Sequence, residues 1–527
     1  MSRGLALGLF LACVIGLALR LPRLEQRPLH ADESVHAYKF LGLWQQGEYR
    51  YDPDEYHGPT LYYATLPFAW ASGARTAAAL SETTLRLVPV AFGLGLILLL
   101  PLLADGLGRA ATLWAGIFTA VSTAFVYYSR YYIHELLLVF LAMLFGAALW
   151  RYWRRPGLGW ASLAGLALGL MHATKETVVF HLAALAGAAG AALWFADDGR
   201  RAWNDLRSRL RPAHLAAGLA VAVLVSITFF TSFFTNAAGP LDSLRTYLPW
   251  ITRAGGDSPH MHPWYFYLQR LFWFHAGKGP VFSELLIGVL ALAGMAVGFL
   301  PARHSSADRG LTRLLTFYTL ALAGGYSVIA YKTPWCVLGF LHGAVLLAGI
   351  GAAALFRWIR PTWIFVLAAL GLGAATLQLA AQAWRASGPL ATDQRNPYVY
   401  AHTSKDFLRL LDRVRGVAAV HGDPSTLGIN VMAPGGDYWP LPWYLRGFKE
   451  VNWSSGVPED PFAPIVIASA RLNAALDERS EKRWISVGYY EHRPQVFFEM
   501  FVELELWKRY VERLPRDRDD EAEDEND

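Results

Sequence analysis

The chain has 527 residues, of which 54% are hydrophobic and only 17% are charged. This composition and a mean hydropathy of +0.26 are typical of an integral membrane protein, and 20 Trp and 24 Tyr suit aromatic belts at the membrane surfaces. The formal charge of +5 is modest, and we expect no nucleic-acid partner. Cys13 and Cys336 lie in or beside apolar stretches, so neither a disulfide framework nor a Cys-ligated zinc site is supported.

About eleven apolar stretches are long enough to cross a bilayer, and the first lacks the cleavage site of a signal peptide. They are Gly4–Leu21, Thr84–Ala104, Ala111–Tyr127, Ile133–Trp150, Leu158–Ala173, Thr177–Phe195, Ala213–Thr235, Val281–Leu300, Leu311–Ala330, Trp335–Phe356 and Trp363–Ala383. The sequence therefore predicts a polytopic α-helical membrane protein. We divide it into a transmembrane domain over 1–385, which includes a loop over 22–83, an α/β domain over 386–515 and an acidic tail over 516–527.

Arginines fall in alternate connections between these stretches, and the positive-inside rule makes those connections cytoplasmic. They are Arg109, Arg151, Arg154, Arg155, Arg200, Arg201, Arg207, Arg209, Arg211, Arg303, Arg309, Arg313, Arg357 and Arg360. This asymmetry predicts a multi-pass protein of the cell (plasma) membrane with a cytoplasmic amino terminus. The loop over 22–83 and the carboxy-terminal domain are then extracytoplasmic.

The first outer loop carries the densest group of acidic and histidine residues. His30, Asp32 and Glu33 follow the first span directly. A helix is predicted from Asp32, as its cap, to about Gln46, with Gly47 closing it. Carboxylates beside a membrane are costly to desolvate, so they face water, a cation or a substrate. The alternative is that Asp32 is only a helix cap.

A second acidic group follows in the same loop, at Asp52, Asp54 and Glu55, with His57 just after it. The alternative is a solvated turn. A second helix is predicted to start near Pro59, a favoured first helical position, and to end before Gly73. Two such groups in one short loop favour a functional site.

Further charged residues lie at the ends of other spans on the predicted outer face. They are Arg130, His134, Glu135, His172, Lys175, Glu176 and Lys332, together with the long connection Asn236–Pro280, which includes Arg253 and Asp257. Taken alone, Lys175 is an interfacial anchor or a partner of Glu176. Cations from three loops that face a carboxylate-rich loop suit a substrate with an anionic phosphate and sugar hydroxyls.

The remainder, roughly Ser387–Asp527, differs in composition and predicts a small α/β domain. A helix followed by a strand is predicted for RLLDRVRGVAAVHGDP, and a strand followed by a helix for APIVIASARLNAALDERS. A last strand and a helix are predicted for Trp484–Leu514. The aromatic loop GGDYWPLPWYLRGF is either a docking surface on the membrane part or a wall of the acceptor site. The acidic tail is predicted to be disordered.

The sequence has no phosphate-cradling glycine loop and no nucleotide-binding domain, so we expect no nucleotide cofactor. If the protein is an enzyme, its activated donor resides in the membrane. A lipid carrier with a phosphate leaving group meets that condition.

The chain resembles the GT-C glycosyltransferases, within the group of dolichyl-phosphate-mannose–protein mannosyltransferases and aminoarabinose transferases. The motifs that carry this resemblance are HADES after the first span, YSRYYIHELLL and TKE. Within this group, the chain is most similar to the flippase activity-associated proteins of archaea and bacteria. That similarity lies in the motifs HADESVHAY, YDPDEYHGPTLYY, KTPW and DYWPLPWYLR. The resemblance implies a polyprenyl-phosphate-linked sugar as donor and transfer on the outer face to a protein, lipid or glycan. It also implies that Asp32 is the base. The second outer acidic residue, usually Asp in these families, is Glu135 here.

These residues predict an inverting hexosyltransferase in which Asp32 deprotonates the acceptor, with Glu33 and Glu135 as further catalytic residues. Predicted substrate-binding residues are His30, His57, Arg130, Lys175 and Lys332, with Lys175 stabilising the leaving phosphate. Asp32, Glu135 and His57 are predicted ligands of a divalent cation, Mg²⁺, Mn²⁺ or Zn²⁺. A lipid-linked sugar transporter or flippase component and a non-catalytic assembly partner are the alternatives.

Overall fold

The computed structural model describes residues 2–54, 57–250, 260–301 and 305–514, and the chain divides into two units. The first unit comprises Met1–Glu25, Lys39–Ala74 and Leu80–Tyr400. The second comprises Gln26–Tyr38, Arg75–Ala79 and Ala401–Asp527. Two pieces of the first loop therefore fold with the carboxy-terminal part of the chain. Glu55, Arg253, Asp257, Arg303 and the acidic tail lie outside the described residues.

The first unit is helical, and each of the eleven apolar stretches contains a helix. The helices are Arg3–Arg20, Glu82–Leu99, Arg109–Val121, Glu135–Arg154, Leu158–His172, Val178–Trp194, Pro212–Phe230, Leu285–Val297, Arg309–Val328, Val337–Trp358 and Thr362–Ser387. Within the described ranges, six helical segments are long and apolar enough to cross a membrane, and three apolar helices are shorter. The count of eleven spans stays a prediction.

In two of the predicted spans the helix does not cover the whole apolar stretch. The third is interrupted at Ser122, whose side chain accepts a hydrogen bond from Phe125 N and caps a separate short helix, Thr123–Tyr128. The predicted span that begins at Val281 becomes helical only after Glu284, because Phe282 is paired with Phe274 in an isolated β-bridge.

Glycine lets two pairs of these helices approach closely. A Cβ added to Gly165, in Leu158–His172, would lie 2.0 Å from the carbonyl oxygen of Gly218 on the helix Pro212–Phe230. A Cβ on Gly294 would lie 2.0 Å from the carbonyl oxygen of Leu347. Such contacts between small residues are how membrane helices pack closely.

The first-loop helices are Ala31–Gln46 and Thr60–Ala71. Gly47 follows the first helix with φ of +72°, a conformation that glycine adopts without a steric penalty, as predicted. Pro59 immediately precedes the second helix. The helix Gly199–Arg209, which has no buried residue, was not predicted.

The second unit is built on a five-stranded sheet of order β2-β1-β3-β5-β4. Its strands are β1 (Ile429–Met432), β2 (Val451–Ser454), β3 (Ile465–Ser469), β4 (Trp484–Arg493) and β5 (Val496–Glu503). β1 pairs in parallel with β2 and β3, whereas β5 pairs antiparallel with β3 and β4. The helices Asp406–Ala418 and Leu504–Glu512 complete the domain, whose core includes Phe407, Leu410, Ile429, Ile467 and Met500.

Several secondary-structure predictions for this domain were wrong in detail. The stretch VAAVHG does not form a strand, because the amphipathic helix continues to Ala418, and the first strand follows at Ile429–Met432. The segment predicted as one last strand and a helix forms a two-stranded hairpin before the helix Leu504–Glu512. The helix predicted after β3 is a single turn, Leu476–Arg479.

The aromatic loop packs on the first-loop pieces that belong to its own unit. Tyr444 OH accepts a hydrogen bond from Leu29 N at 2.9 Å, and Ser34 Oγ donates to Pro440 O at 3.3 Å. Arg446 Nε donates to the carbonyl oxygen of Ala77 at 2.9 Å. The loop therefore supports the segment that carries Asp32.

Candidate active site

Three connections of the first unit that are predicted to share the outer face meet at their backbones. Gly58 N donates to Thr174 O at 3.1 Å, and Thr60 N donates to Ala173 O at 3.2 Å. A Cβ on Gly58 would lie 2.2 Å from the carbonyl oxygen of Ala173, so only glycine permits this approach. His134 Nε2 lies 2.9 Å from Gly58 O and joins the third connection.

An ion pair between Lys175 and Glu135 lies at this meeting point, and both side chains are buried. Glu135 opens the helix Glu135–Arg154, where the helix dipole favours a negative charge. Burial opposes the charge on Lys175, but attraction by Glu135 outweighs it and raises the pKa of Lys175. The alternative that Lys175 pairs with Glu176 is wrong, because the ion pair is with Glu135.

Glu176 instead contacts His57, with 2.8 Å between Oε2 and Nδ1. Burial raises the pKa of Glu176, and Lys175 and His134 oppose this shift. The His57 ring stacks on Trp250, with centroids 5.4 Å apart, and meets the His134 ring edge-on. Because a carbonyl oxygen only accepts, His134 Nε2 donates the hydrogen bond to Gly58 O.

Asp32 lies in the second unit, and it is not the cap of its helix. His30 occupies the cap position: its Nδ1 accepts from Asp32 N at 3.0 Å, and its own N donates to Glu33 Oε2 at 3.0 Å. This reciprocal arrangement is that of a capping box, with histidine in place of serine or threonine. The prediction that Asp32 caps the helix was wrong, because a residue two positions earlier provides the acceptor.

The two adjacent acidic residues consequently have different environments. Glu33 is fully buried and forms an ion pair with Arg27 at 2.8 Å. The Asp32 side chain is 37% exposed, and in the described part of the chain its carboxylate accepts no hydrogen bond. The nearest ring nitrogen, His30 Nδ1 at 3.8 Å, is itself the acceptor of the bond from Asp32 N. Asp32 therefore has the chemistry of an available base, whereas Glu33 has that of a structural residue.

Two cations that were predicted to bind the substrate donate hydrogen bonds to backbone carbonyl groups. Arg130 donates to the carbonyl oxygens of Arg20 and Arg23 at 3.1 and 3.0 Å and thereby holds the end of the first helix. Lys332 donates to His262 O at 3.0 Å and to Ile329 O, and burial lowers the pKa of Lys332. In this geometry each cation binds backbone carbonyl groups, and a contact of either residue with the substrate stays a prediction.

The residues predicted as metal ligands do not fit a metal centre in this arrangement. Glu135 is paired with Lys175, and His57 is paired with Glu176. Across the described ranges, no group of three or more His, Cys, Asp or Glu side chains is arranged to hold an ion. We therefore derive no step through a metal.

The structure adds Glu176 and Trp250 to the candidate site. Glu176 stood beside Lys175 in the sequence and was interpreted only as its partner. Trp250 lies in a long aromatic connection where no spacing distinguishes one ring from the next. The only sequence signal was the adjacent opposite charges of the TKE motif.

Comparisons with known proteins define the class of this fold. Residues 11–238 match the family model described as dolichyl-phosphate-mannose-protein mannosyltransferase. The structure of ArnT from Cupriavidus metallidurans bound to undecaprenyl phosphate is similar over 95% of this chain and 98% of its own, with a TM-score of 0.60 and 15% identity. No curated protein sequence matches this chain.

Two structures of the oligosaccharyltransferase from Archaeoglobus fulgidus are also similar. One, tethered to an acceptor peptide, covers 93% of this chain and 74% of its own, with a TM-score of 0.57 and 12% identity. The other, AglB with an inhibitory peptide and a dolichol-phosphate, covers 89% of this chain and 70% of its own, with a TM-score of 0.57 and 12% identity. The chain therefore shares the fold of these structures, as its resemblance to GT-C glycosyltransferases predicted. The finer likeness to flippase activity-associated proteins stays a prediction.

Proposed function

We propose that this protein is a glycosyltransferase that moves a sugar from a polyprenyl-phosphate carrier to an acceptor hydroxyl on the extracytoplasmic face. The observation that carries the proposal is the partly exposed carboxylate of Asp32, which a buried cap holds at the start of its helix. Similar folds hold undecaprenyl phosphate and dolichol-phosphate, which supports a lipid-phosphate leaving group here.

The proposed reaction is a single displacement at the anomeric carbon of the sugar. Asp32 takes the proton from the acceptor hydroxyl while that oxygen forms a bond to the anomeric carbon. The bond from this carbon to the phosphate oxygen breaks, and polyprenyl phosphate leaves with the electron pair. Attack opposite the leaving group inverts the configuration. A hexose is the proposed sugar, and the acceptor is a protein, lipid or glycan.

Lys175 supplies the positive charge for the departing phosphate in this proposal. Glu135 fixes the position of the ammonium group and keeps it protonated, so the charge is in place before the bond breaks. The weak local screening of a buried site strengthens the effect of that charge.

Incubation of the purified protein in nanodiscs with polyprenyl-phosphate-linked sugars tests this proposal. We expect release of polyprenyl phosphate coupled to glycosylation of an added acceptor, at a much lower rate in Asp32→Asn. Movement of the intact lipid-linked sugar between leaflets without cleavage would favour a transporter. Absence of both reactions across the panel would favour a non-catalytic assembly partner.

A further inference from the structure

The helix Gly199–Arg209 has no role in the proposed reaction, and it lies between two apolar helices of the first unit. It follows Val178–Trp194 after residues 195–198, and it precedes Pro212–Phe230, which is long and apolar enough to cross a membrane. Because each neighbour is an apolar helix and each connection is short, both ends of this helix are held near the membrane surface. None of its residues is buried.

One side of this helix is apolar. At about 100° per residue, Ala202, Trp203 and Leu206 lie within an arc of about 100° around the helix axis. We call these three residues the apolar strip. Trp203 is 51% exposed, and tryptophan is a residue type that is enriched where proteins meet the membrane surface. Leu210, which follows the helix directly, is exposed as well.

Arginines border the apolar strip on both sides. Arg200 and Arg207 are two turns apart, so they lie on the same side of the helix, next to Trp203, and both are exposed. Neither forms an ion pair with the described residues. On the other side, Arg209 donates to the carbonyl oxygen of Trp153 at 2.6 Å and lies 4.8 Å from the centroid of its ring. Arg209 thereby holds the end of the helix in place.

The acidic residues near the helix do not neutralise the arginines beside the strip. Asp197 pairs with Arg313 at 2.9 Å, and Asp198 caps the first turn of the helix. Asp205 lies on the opposite side of the helix from Arg207, because the two positions are separated by about 200° around the axis. The side that carries the apolar strip is therefore positively charged.

We propose that this helix lies on the membrane surface, with the apolar strip among the lipid chains and with Arg200 and Arg207 bound to the phosphates of anionic lipids. An apolar side bordered by arginines is typical of helices that lie in the interface, because arginine stems extend along apolar surface while their charged groups stay among the lipid headgroups. Attraction to anionic headgroups adds to the burial of the strip. The inference does not depend on the proposed function. The predicted orientation places this helix on the cytoplasmic leaflet.

Two spin labels, two residues apart, test how the helix lies. With Cys13 and Cys336 replaced by Ser, a nitroxide is attached at Leu206→Cys, in the apolar strip, or at Ser208→Cys, on the opposite side. The full-length protein is reconstituted in vesicles of phosphatidylcholine and phosphatidylglycerol. We expect the label at position 206 to be relaxed mainly by oxygen, which concentrates in hydrocarbon. The label at position 208 should be relaxed mainly by a water-soluble nickel complex.

Equal access of the nickel complex to both labels would overturn the proposal, because the strip would then face water. A label at position 206 that neither reagent reaches would overturn it too, because the strip would then be covered by protein.

Selectivity for anionic lipid is measured by fluorescence quenching in nanodiscs. A fluorophore at Leu206→Cys is quenched by phosphatidylglycerol or by phosphatidylcholine, each with the same brominated chains. We expect wild-type arginines to favour phosphatidylglycerol, and Arg200→Gln with Arg207→Gln to weaken its binding about fivefold for each arginine lost. Raising the salt to about 1 M, where the Debye length is about 3 Å, should remove most of the preference.

Two control variants separate the site from general charge. Arg200→Lys with Arg207→Lys keeps both charges and should retain most of the preference. Arg201→Gln removes one charge from the opposite side of the helix and should bind phosphatidylglycerol as wild type does. An equal loss in Arg201→Gln, or no preference in wild type, would show that Arg200 and Arg207 form no anionic lipid site. Neither readout uses the donor lipid, so a failure of sugar transfer would leave these results unchanged.

Discussion

At the scale of single residues, Asp32 and Glu33 show how two adjacent carboxylates acquire opposite roles. Glu33 accepts a hydrogen bond from His30 N and pairs with Arg27 in a buried position, whereas Asp32 is partly exposed. The sequence correctly located the acidic group after the first span. Which of its members is available as a base depends on the direction in which His30 turns, and no spacing specifies that direction.

Substitution of Asp32 by Asn tests the proposed base. Because Asp32 is not the helix cap, we expect unchanged insertion and Tm, with a loss of transfer rate of about a hundredfold to ten-thousandfold. Asp52→Asn, in an exposed turn of the same loop, is the matched control and should retain activity. Full activity of Asp32→Asn in a sugar-transfer assay would remove Asp32 from the chemistry.

Glu33→Gln should mainly reduce stability. Removing one partner of a buried ion pair leaves an uncompensated charge, and the cost is about 3–5 kcal/mol. We expect a lower Tm, with near-normal transfer by the fraction that remains folded. A wild-type Tm with abolished transfer would instead place Glu33 among the reacting groups.

The Lys175–Glu135 pair allows charge to be separated from stability. Lys175→Ala alone should weaken donor use and destabilise the fold, because Glu135 is left buried and unpaired. Replacing both, as Lys175→Met with Glu135→Leu, restores an uncharged interior and is expected to recover most of the stability. If the lysine stabilises the phosphate, this double variant remains inactive.

Lys508→Ala, which removes an exposed ion pair with Glu505, serves as the control. It should change neither the stability nor the rate of lipid-phosphate release. Stability and rate of lipid-phosphate release are measured on the same nanodisc preparations. Normal turnover by the folded double variant would show that Lys175 only joins two loops.

At the scale of elements, β4 contains an unusual buried group. His492 is fully buried between Phe407 and Phe498, and in the described structure neither ring nitrogen has a hydrogen-bond partner. Burial, with the nearby charges of Arg493 and His30, lowers the pKa of His492 to about 3. In the unfolded chain the same imidazole takes up its proton at its ordinary pKa of about 6.5.

The second unit should therefore lose stability in mild acid. The unfolded state binds more protons between the two pKa values, so stability is full above about pH 6.5 and falls as the pH is lowered towards 3. We expect the free energy of unfolding to fall by about 2 kcal/mol between pH 7.5 and pH 5. Hydrogen exchange of the β4 and β5 amides in the whole protein measures it.

His492→Phe should abolish most of that dependence and stabilise the strand by about 1 kcal/mol, because two unsatisfied nitrogens are removed. His421→Ala, at a half-buried position outside this cluster, should leave the pH dependence as in wild type. An equally acid-sensitive His492→Phe protein would assign the effect to other groups.

Helices and their ends were predicted correctly where the sequence pattern that defines them spans only a few residues. Features that depend on residues far apart in the chain were missed. Apolar runs, Gly47 and Pro59 marked helices and their ends correctly because hydrophobic length and backbone preference act within a few residues. The helix Asp406–Ala418 was cut short because its final turn, rich in Val and Ala, has no distinct helical pattern. The pairings of Lys175 with Glu135 and of His57 with Glu176 join residues 40 and 119 positions apart, which spacing alone does not predict.

At the scale of the whole molecule, the orientation in the membrane is the main untested prediction. With Cys13 and Cys336 replaced by Ser, single cysteines at Arg154, Arg207 and Arg309 should be protected from an impermeant thiol reagent in intact cells. One at Asp437 should be labelled. The reason is the concentration of arginines in alternate connections. Labelling at Asp437 only after permeabilisation would reverse the orientation and place Asp32 on the cytoplasmic side.

The composition of the second unit has a consequence for biogenesis. Thr403 Oγ1 donates to the carbonyl oxygen of Leu29, a residue 374 positions earlier, and this bond lies within the unit that contains Asp32. A ribosome releases the first loop long before it has made the strands with which that loop folds. The nascent chain therefore enters the membrane without an assembled acidic loop, and the proposed base reaches its supported position only when translation is nearly complete. Premature termination anywhere before Ala401 would leave a chain without the strands that support the segment of the proposed base.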